Sequence, residues 1–180
     1  QMVHQDPYDS INPNMKIRDI IAEPLEIHRI GNVKQRLDMV RQVLHEVKME
    51  PADEIMTKYP YMLSGGQRQR IVLARALILK PKMIIADEPV SMLDVSIRAE
   101  ILELMDALRE KLNISFLYIT HDLATARYFG QKIVILRLGK IVEAGPIDDV
   151  LFTPKQEYTK ELIDAISDPS PDNINRERRS

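Results

Sequence analysis

Two short polar segments carry the residue types that phosphate chemistry needs. Ser64, Gly65 and Gly66 stand directly ahead of a helix-forming run, and Asp87 and Glu88 end an apolar segment. The free N–H groups and the dipole at a helix start can hold a phosphate. Of two adjacent carboxylates, one suits a hydrated metal ion and the other a water molecule. Together the two segments indicate nucleotide triphosphate chemistry.

Each segment also has a simpler structural explanation. The serine and the two glycines are favoured residues for a helix N-cap even without a ligand, and an acidic pair often ends a strand in solvent. Against this, two adjacent glycines can expose successive N–H groups as an anion nest. Residues 83–86, which precede the carboxylates, are apolar on both faces and predict a central parallel strand. Ligands bind at the carboxyl ends of such strands, so the position of Asp87 and Glu88 favours a ligand-binding role over a strand end in solvent.

Two further polar residues follow predicted strands. His121 comes after the predicted strand 114–119, so neighbouring strands would bring Glu88 and His121 to one edge of the sheet. Gln5 follows a short apolar segment, and its amide can ligate an ion or hold a water molecule. A lone histidine is more often structural, and only location distinguishes His121 from the other three: His4, His28 and His45.

The composition excludes several classes of function. The chain has 180 residues, 44% of them hydrophobic, which is the size and content of one ordinary domain. A formal net charge of −2 gives no global field for nucleic acid or an anionic membrane. The absence of cysteine removes disulfides, thiolate metal sites and thiol nucleophiles, and makes a cytosolic setting the simplest interpretation. The apolar runs are too short to span a membrane.

The order of predicted elements indicates an α/β protein. Apolar residues recur at helical spacing over 17–25 and 33–47, and a largely apolar helix follows Gly66. Strands over 83–86, 114–119 and 132–138 then alternate with helices over 96–111 and from 123, which predicts a parallel sheet. A tight turn at Gly139 predicts a hairpin at the sheet edge. Two short helical segments and a tail from Asp168 without apolar anchors follow.

Five motifs stand in one order along the chain. They are Gln5-Asp6-Pro7, Leu63 to Gln67, Met83 to Glu88, Ser91 to Asp94, and Ile119 to Asp122. In this order they resemble the Q-loop, signature, Walker B strand, D-loop and switch histidine of the nucleotide-binding subunits of ATP-binding cassette (ABC) transporters. Within that family, residues 6–13, 139–146 and 158–162 look like oligopeptide or dipeptide importers. No Gly-x-x-x-x-Gly-Lys-Ser/Thr occurs, so we expect an N-terminally truncated cassette that lacks the phosphate loop, Walker A.

The resemblance implies a fold and a division of the chain. The fold would be a P-loop NTPase-like parallel sheet with an inserted helical subdomain, its N-terminal part missing. Residues 1–13 would be a strand end and the Q-loop, 14–75 the helical subdomain with the signature, and 76–150 part of the RecA-like catalytic core. Residues 151–180 would form a C-terminal helical extension and tail.

The resemblance also implies a mechanism, with ATP and Mg²⁺ as the ligands. Two cassettes would pack head to tail, so that the signature residues complete the ATP site of a partner. The resemblance implies that Asp87 and Gln5 bind Mg²⁺, that Glu88 orients the attacking water, and that His121 contacts the γ-phosphate. ATP would be bound in trans by the signature residues Ser64, Gly65, Gly66 and Gln67. Asp94 would couple the two cassettes across the dimer. Membrane permease subunits would dock on the helical block, with a substrate-binding protein as an indirect partner, at the cytoplasmic face of the cell membrane.

The alternatives are ABC-type ATPases of other classes. A transporter of another substrate shares all these motifs, and a tandem-cassette translation factor would need a second cassette. A DNA-repair ATPase would need a long coiled coil between Gln5 and Ser64, but only a few tens of residues without sustained heptads separate them. We expect no nucleic acid partner. We also expect the 180 residues to be inactive alone, since the phosphate loop is missing.

Overall fold

The computed structural model of the chain describes residues 1–5 and 11–165. It divides into two compact units, Gln1–Ile119 and Thr120–Ser180. The predicted motif residues Asp6 and Pro7 and the predicted tail from Asp168 lie outside the described residues. In the part of the chain that the structure describes, no helix combines the length and apolar character needed to cross a membrane.

A three-stranded parallel sheet forms the centre of the first unit. Its strands are β1 (Met2–Val3), β2 (Met83–Asp87) and β3 (Ser115–Ile119), in the order β1-β2-β3. The central position predicted for the apolar segment 83–86 is therefore confirmed, and Ile84 and Ala86 of β2 are fully buried. Because all three strands run in the same direction, their carboxyl ends share one edge.

A block of helices precedes β2 in sequence. It comprises α1 (Ile17–Ile27), α2 (Val33–Glu46) and the short α3 (Ala52–Thr57), followed by a 3₁₀ turn over Pro60–Met62. The four residues of α1 predicted to face the core are all buried: Ile17, Ile20, Ile21 and Leu25. On α2 only the second half of the apolar stripe, from Val40, is fully buried. The helical block predicted from the spacing is thus present.

Two longer helices complete the first unit. Helix α4 (Gly65–Leu77) contacts α1, α2, β1 and α5 (Val95–Leu112), and it is buried on most faces as its sequence predicts. Arg68 donates to the carbonyl of Pro60, and Arg70 pairs with Glu100 at 3.1 Å. These arginines therefore make hydrogen-bond and ion-pair contacts within the chain.

The second unit is built around a β-hairpin. Helix α6 (Leu123–Phe129) is followed by β4 (Lys132–Arg137), β5 (Lys140–Pro146), α7 (Ile147–Phe152) and α8 (Glu157–Asp164). Strands β4 and β5 pair antiparallel, which confirms the predicted hairpin but not its predicted place at the edge of the parallel sheet. They form a two-stranded sheet of their own, so the prediction that 132–138 joins the parallel sheet is wrong for the described residues. Alternation of strands and helices predicts a parallel sheet but does not specify which strands pair.

Candidate functional site

Three of the predicted site residues lie at one edge of the parallel sheet. Asp87 is the last residue of the central strand β2, and its partner in the β3 register is Ile119. Glu88 follows Asp87, and both are half-buried. Strand β1 runs parallel beside β2, so the exposed Gln5 leaves the sheet at this same edge. The structure thus brings Gln5, Asp87 and Glu88 to the carboxyl ends of adjacent strands.

The backbone of Glu88 adopts a left-handed conformation, with φ at 46°. Such a conformation costs a residue with a Cβ roughly 1–2 kcal/mol, and residues held this way cluster at active sites. The Glu88 N–H donates to the Ile119 carbonyl at 2.9 Å, which extends the β2–β3 pairing by one residue. The left-handed backbone and this hydrogen bond together fix the direction in which the Glu88 side chain leaves the backbone.

A turn over residues 88–91 fixes the other side of Glu88. The N–H and the hydroxyl of Ser91 both donate to the Glu88 carbonyl, at 3.2 and 3.0 Å. Pro89 stands at the second position of the turn, where its fixed φ is favourable, and Val90 is only 3% exposed. Ser91 is not among the predicted site residues, although Glu-Pro-x-Ser is a recognisable turn pattern.

The predicted phosphate-binding segment is the first turn of α4. Ser64 is its N-cap, and the Ser64 hydroxyl oxygen accepts from the N–H of Gln67 at 3.3 Å. The Gln67 amide oxygen in turn accepts from the N–H of Ser64 at 3.0 Å, which completes a capping box. The Ser64 hydroxyl acts as acceptor here, so its proton remains available to a ligand. The first N–H groups of the helix, at Gly65 and Gly66, have no intrahelical carbonyl to bond.

The two glycines of this segment occupy different surroundings. A Cβ on Gly65 would lie 3.5 Å from Cδ2 of Leu93, which is ordinary contact. A Cβ on Gly66 would lie 2.5 Å from Cγ2 of Ile97 on α5, closer than atoms can approach. Gly66 therefore lets α4 and α5 approach each other, whereas Gly65 has room for a side chain. The sequence alone did not distinguish these roles.

Asp94, the predicted coupling residue, is the N-cap of α5. Its side chain makes no capping hydrogen bond and is exposed. The backbone around it is held by Arg98, whose N–H donates to the Asp94 carbonyl at 2.8 Å and whose guanidinium donates to the Leu93 carbonyl at 3.4 Å. Leu93 also lies beside Gly65, so the segment 91–94 and the first turn of α4 of the same chain lie close together in space.

His121 belongs to the second unit, where it is exposed between β3 and α6. Its neighbours fix the local backbone. Thr120 accepts from the N–H of Asp122 at 3.0 Å, and Asp122 caps α6 by accepting from the N–H groups of Ala124 and Thr125. That His121 shares an edge with Glu88 stays a prediction.

The donor set at the sheet edge fits a magnesium ion held together with a nucleotide. Among the described residues, no group of three His, Cys, Asp or Glu side chains is arranged to hold a metal ion. Mg²⁺ in nucleotide sites is held by one or two carboxylates plus substrate phosphates and water. Asp87 at a strand end, with the amide of Gln5 at the same edge, offers the protein's share of such a site.

Comparison with known proteins identifies the family. A family model described as "ABC transporter" matches residues 1–91, half of the chain. The chain belongs to the ABC transporter family. The matched part of this ABC chain includes Gln5, the first turn of α4 and the strand that ends in Asp87, all of which the sequence analysis had assigned to the family's motifs.

Several relatives of this ABC chain are named for peptide transport. It is 45% identical over 173 residues to the oligopeptide transport ATP-binding protein OppF of Bacillus subtilis, covering 96% of this chain and 56% of OppF. It is 42% identical over 178 residues to the dipeptide transport ATP-binding protein DppF of Haemophilus influenzae, covering 99% and 54%. A putative peptide import ATP-binding protein of Brucella ovis is 42% identical over 172 residues, covering 96% and 54%. The chain thus spans about half the length of these curated relatives.

Proposed function

We propose that the protein containing this chain is the ATP-binding and ATP-hydrolysing subunit of an importer for oligopeptides or dipeptides. The observation that carries the proposal is the edge of the parallel sheet, where Asp87 ends the central strand and Glu88 follows it in a left-handed conformation. Membership of the ABC family supports ATP as the substrate. The names of the relatives support peptides as the cargo.

In this proposal the two carboxylates have separate tasks. Asp87 and Gln5 would hold Mg²⁺, which would neutralise charge on the ATP phosphates. Glu88 orients the attacking water and accepts its proton, because it is the carboxylate whose backbone is fixed on both sides. His121 contacts the γ-phosphate. The phosphates themselves are cradled by a phosphate loop, which these 180 residues do not contain.

The first turn of α4 serves a second cassette. Ser64, Gly65 and Gly66 offer a hydroxyl and helix N-terminal N–H groups to the γ-phosphate of ATP held by a head-to-tail partner. Gln67 supports them from the capping box, since its amide oxygen holds the Ser64 N–H. Asp94 couples the two halves, and its carboxylate is exposed and makes no capping bond.

The larger assembly follows from the same family relation. Residues 14–75 act as the helical subdomain inserted in a P-loop NTPase-like core, with 76–150 as part of that core and 151–180 as a C-terminal extension. The helical block docks on membrane permease subunits at the cytoplasmic face of the membrane, and a substrate-binding protein delivers the peptide. Closure of the dimer on ATP shifts the permease between its conformations.

The test is Glu88→Gln in the complete protein. We expect ATP binding to be retained and steady-state turnover to fall by about two to four orders of magnitude, the range of a positioned proton acceptor. The matched control is Glu103→Gln, which changes an exposed glutamate of α5 and should leave turnover unaltered. Unchanged turnover in the Glu88 variant would refute the role of this carboxylate.

The cargo is tested by uptake in cells. Cells that lack the native gene are supplied with the wild-type protein or the Glu88→Gln variant, and accumulation of labelled dipeptides and longer oligopeptides is measured. Restored peptide uptake with the wild type alone supports the importer. If ATP turnover is normal and no peptide is taken up, the ATPase assignment stands and the peptide assignment fails.

A further inference from the structure

Glu88 is fixed in its left-handed conformation by hydrogen bonds on both sides. On the strand side its N–H donates to the carbonyl of Ile119 at 2.9 Å. On the turn side its carbonyl accepts from Ser91 twice, from the N–H at 3.2 Å and from the hydroxyl at 3.0 Å. A carbonyl has two lone pairs, so both donors can be accepted together. The direction of the Glu88 side chain thus depends on contacts of its own peptide groups.

We propose that Ser91 is a positioning residue for Glu88, which it holds by its hydroxyl in the orientation needed to activate water; this inference rests on the proposed function. The backbone N–H of Ser91 closes the turn with any residue at that position. The hydroxyl supplies the extra hydrogen bond to the Glu88 carbonyl, which an alanine at this position cannot make. The hydroxyl bond joins Ser91 directly to the peptide group of Glu88.

Other contacts hold the path of the turn, so the Ser91 hydroxyl can be removed without changing that path. Pro89 and Val90 are buried and anchor the middle of the turn. The N–H of Leu93 donates to the Val90 carbonyl at 3.1 Å, which continues the chain into a second turn. Removal of the Ser91 hydroxyl would therefore leave the path of the chain intact. It would also remove the hydroxyl hydrogen bond to the Glu88 carbonyl.

The test compares Ser91→Ala with a matched control in the complete protein. In α3 the Thr57 hydroxyl donates to the Glu54 carbonyl at 2.8 Å, which is the same type of bond across the same three-residue separation. We expect Ser91→Ala to lower kcat for ATP hydrolysis by about 3- to 10-fold, the equivalent of one net hydrogen bond, with the KM for ATP unchanged. Thr57→Ala should leave both values unchanged. Ser91→Thr, which keeps a hydroxyl, should retain most of the turnover.

A double-mutant cycle with Glu88→Gln separates positioning from general structure. If Ser91 acts through the Glu88 carboxylate, Ser91→Ala lowers kcat only when that carboxylate is present, and the double variant is no slower than Glu88→Gln. An additive loss, a rise in KM in place of a fall in kcat, or an equal loss in Thr57→Ala would overturn the inference. A full kcat in Ser91→Ala while Glu88→Gln is inactive would refute the role of Ser91 alone, whereas full activity of Glu88→Gln would refute the proposed function itself.

Discussion

Replacement of each signature glycine by alanine should separate packing from ligand binding. At Gly66 the added methyl group would lie 2.5 Å from Cγ2 of Ile97, about 1 Å inside normal contact, so the Ile97 side chain must turn or α4 and α5 must move apart. Overpacking of this kind costs about 1–3 kcal/mol. At Gly65 the methyl group would lie 3.5 Å from Leu93, and alanine gains up to about 1 kcal/mol over glycine within a helix.

The assay is urea unfolding followed by circular dichroism. We expect Gly66→Ala to lower the free energy of unfolding by about 1–3 kcal/mol, and Gly65→Ala to leave it unchanged or slightly raised. Ile97→Ala removes the clashing methyl group, so it should cost less in the Gly66→Ala background than in the wild type. Equal stability of the two alanine variants, or strictly additive effects at Gly66 and Ile97, would refute the packing argument.

The same pair of variants bears on the proposed role in trans. If Gly65 faces the phosphate held by a partner, Gly65→Ala should fold normally and yet lose ATP turnover in the complete protein. A loss confined to Gly66→Ala, in proportion to its lost stability, would mean that the segment serves only the fold.

Three further changes test other features. Gln69 is fully buried, and neither polar atom of its amide has a hydrogen-bond partner among the described residues. Gln69→Met should therefore raise the free energy of unfolding by about 1–3 kcal/mol. A decrease in that free energy would reveal a polar partner. Leu138 is 95% exposed with φ at 48° in the hairpin turn before Gly139, so Leu138→Asn should stabilise the hairpin by about 1 kcal/mol in thermal unfolding. The N–H of Lys155 lowers the pKa of Glu143. The stability from this contact is therefore present above the ordinary pKa of a glutamate and is lost as pH falls through the lower pKa of Glu143 in the folded protein. Glu143→Gln should be less stable than the wild type at neutral pH and equal to it in acid.

Much of the first unit follows from residue pattern. The apolar segment 83–86 predicts a central strand, and β2 does lie between β1 and β3, although only its Ile84 and Ala86 face is buried and Met83 is 48% exposed. The spacing from Ile17 to Leu25 predicts the buried face of α1. The carboxylates were predicted at a sheet edge because a parallel strand must end there. These features depend on the spacing of apolar residues along the chain, which the local sequence encodes.

The details of the site depend on contacts between distant residues, so they could not be predicted. The left-handed backbone of Glu88 depends on Ile119, some thirty residues later in the chain, and local preference argues against it. The close approach at Gly66 depends on Ile97 of another helix, which no local pattern reveals. The separate sheet of β4 and β5 was missed because alternation of elements does not specify which strands pair.

The capping box at the start of α4 has a consequence for the kinetics of assembly. Ser64 and Gln67 already hold each other's N–H groups, so the first turn of the helix is formed before any nucleotide reaches it. On the proposed role in trans, the first turn of α4 would meet the partner preformed, with little of its own backbone left to order on contact. ATP-driven pairing should then proceed at the rate of rigid docking, about 10⁵–10⁷ M⁻¹s⁻¹. Differences in dimer affinity between variants would then arise mainly from the dissociation rate.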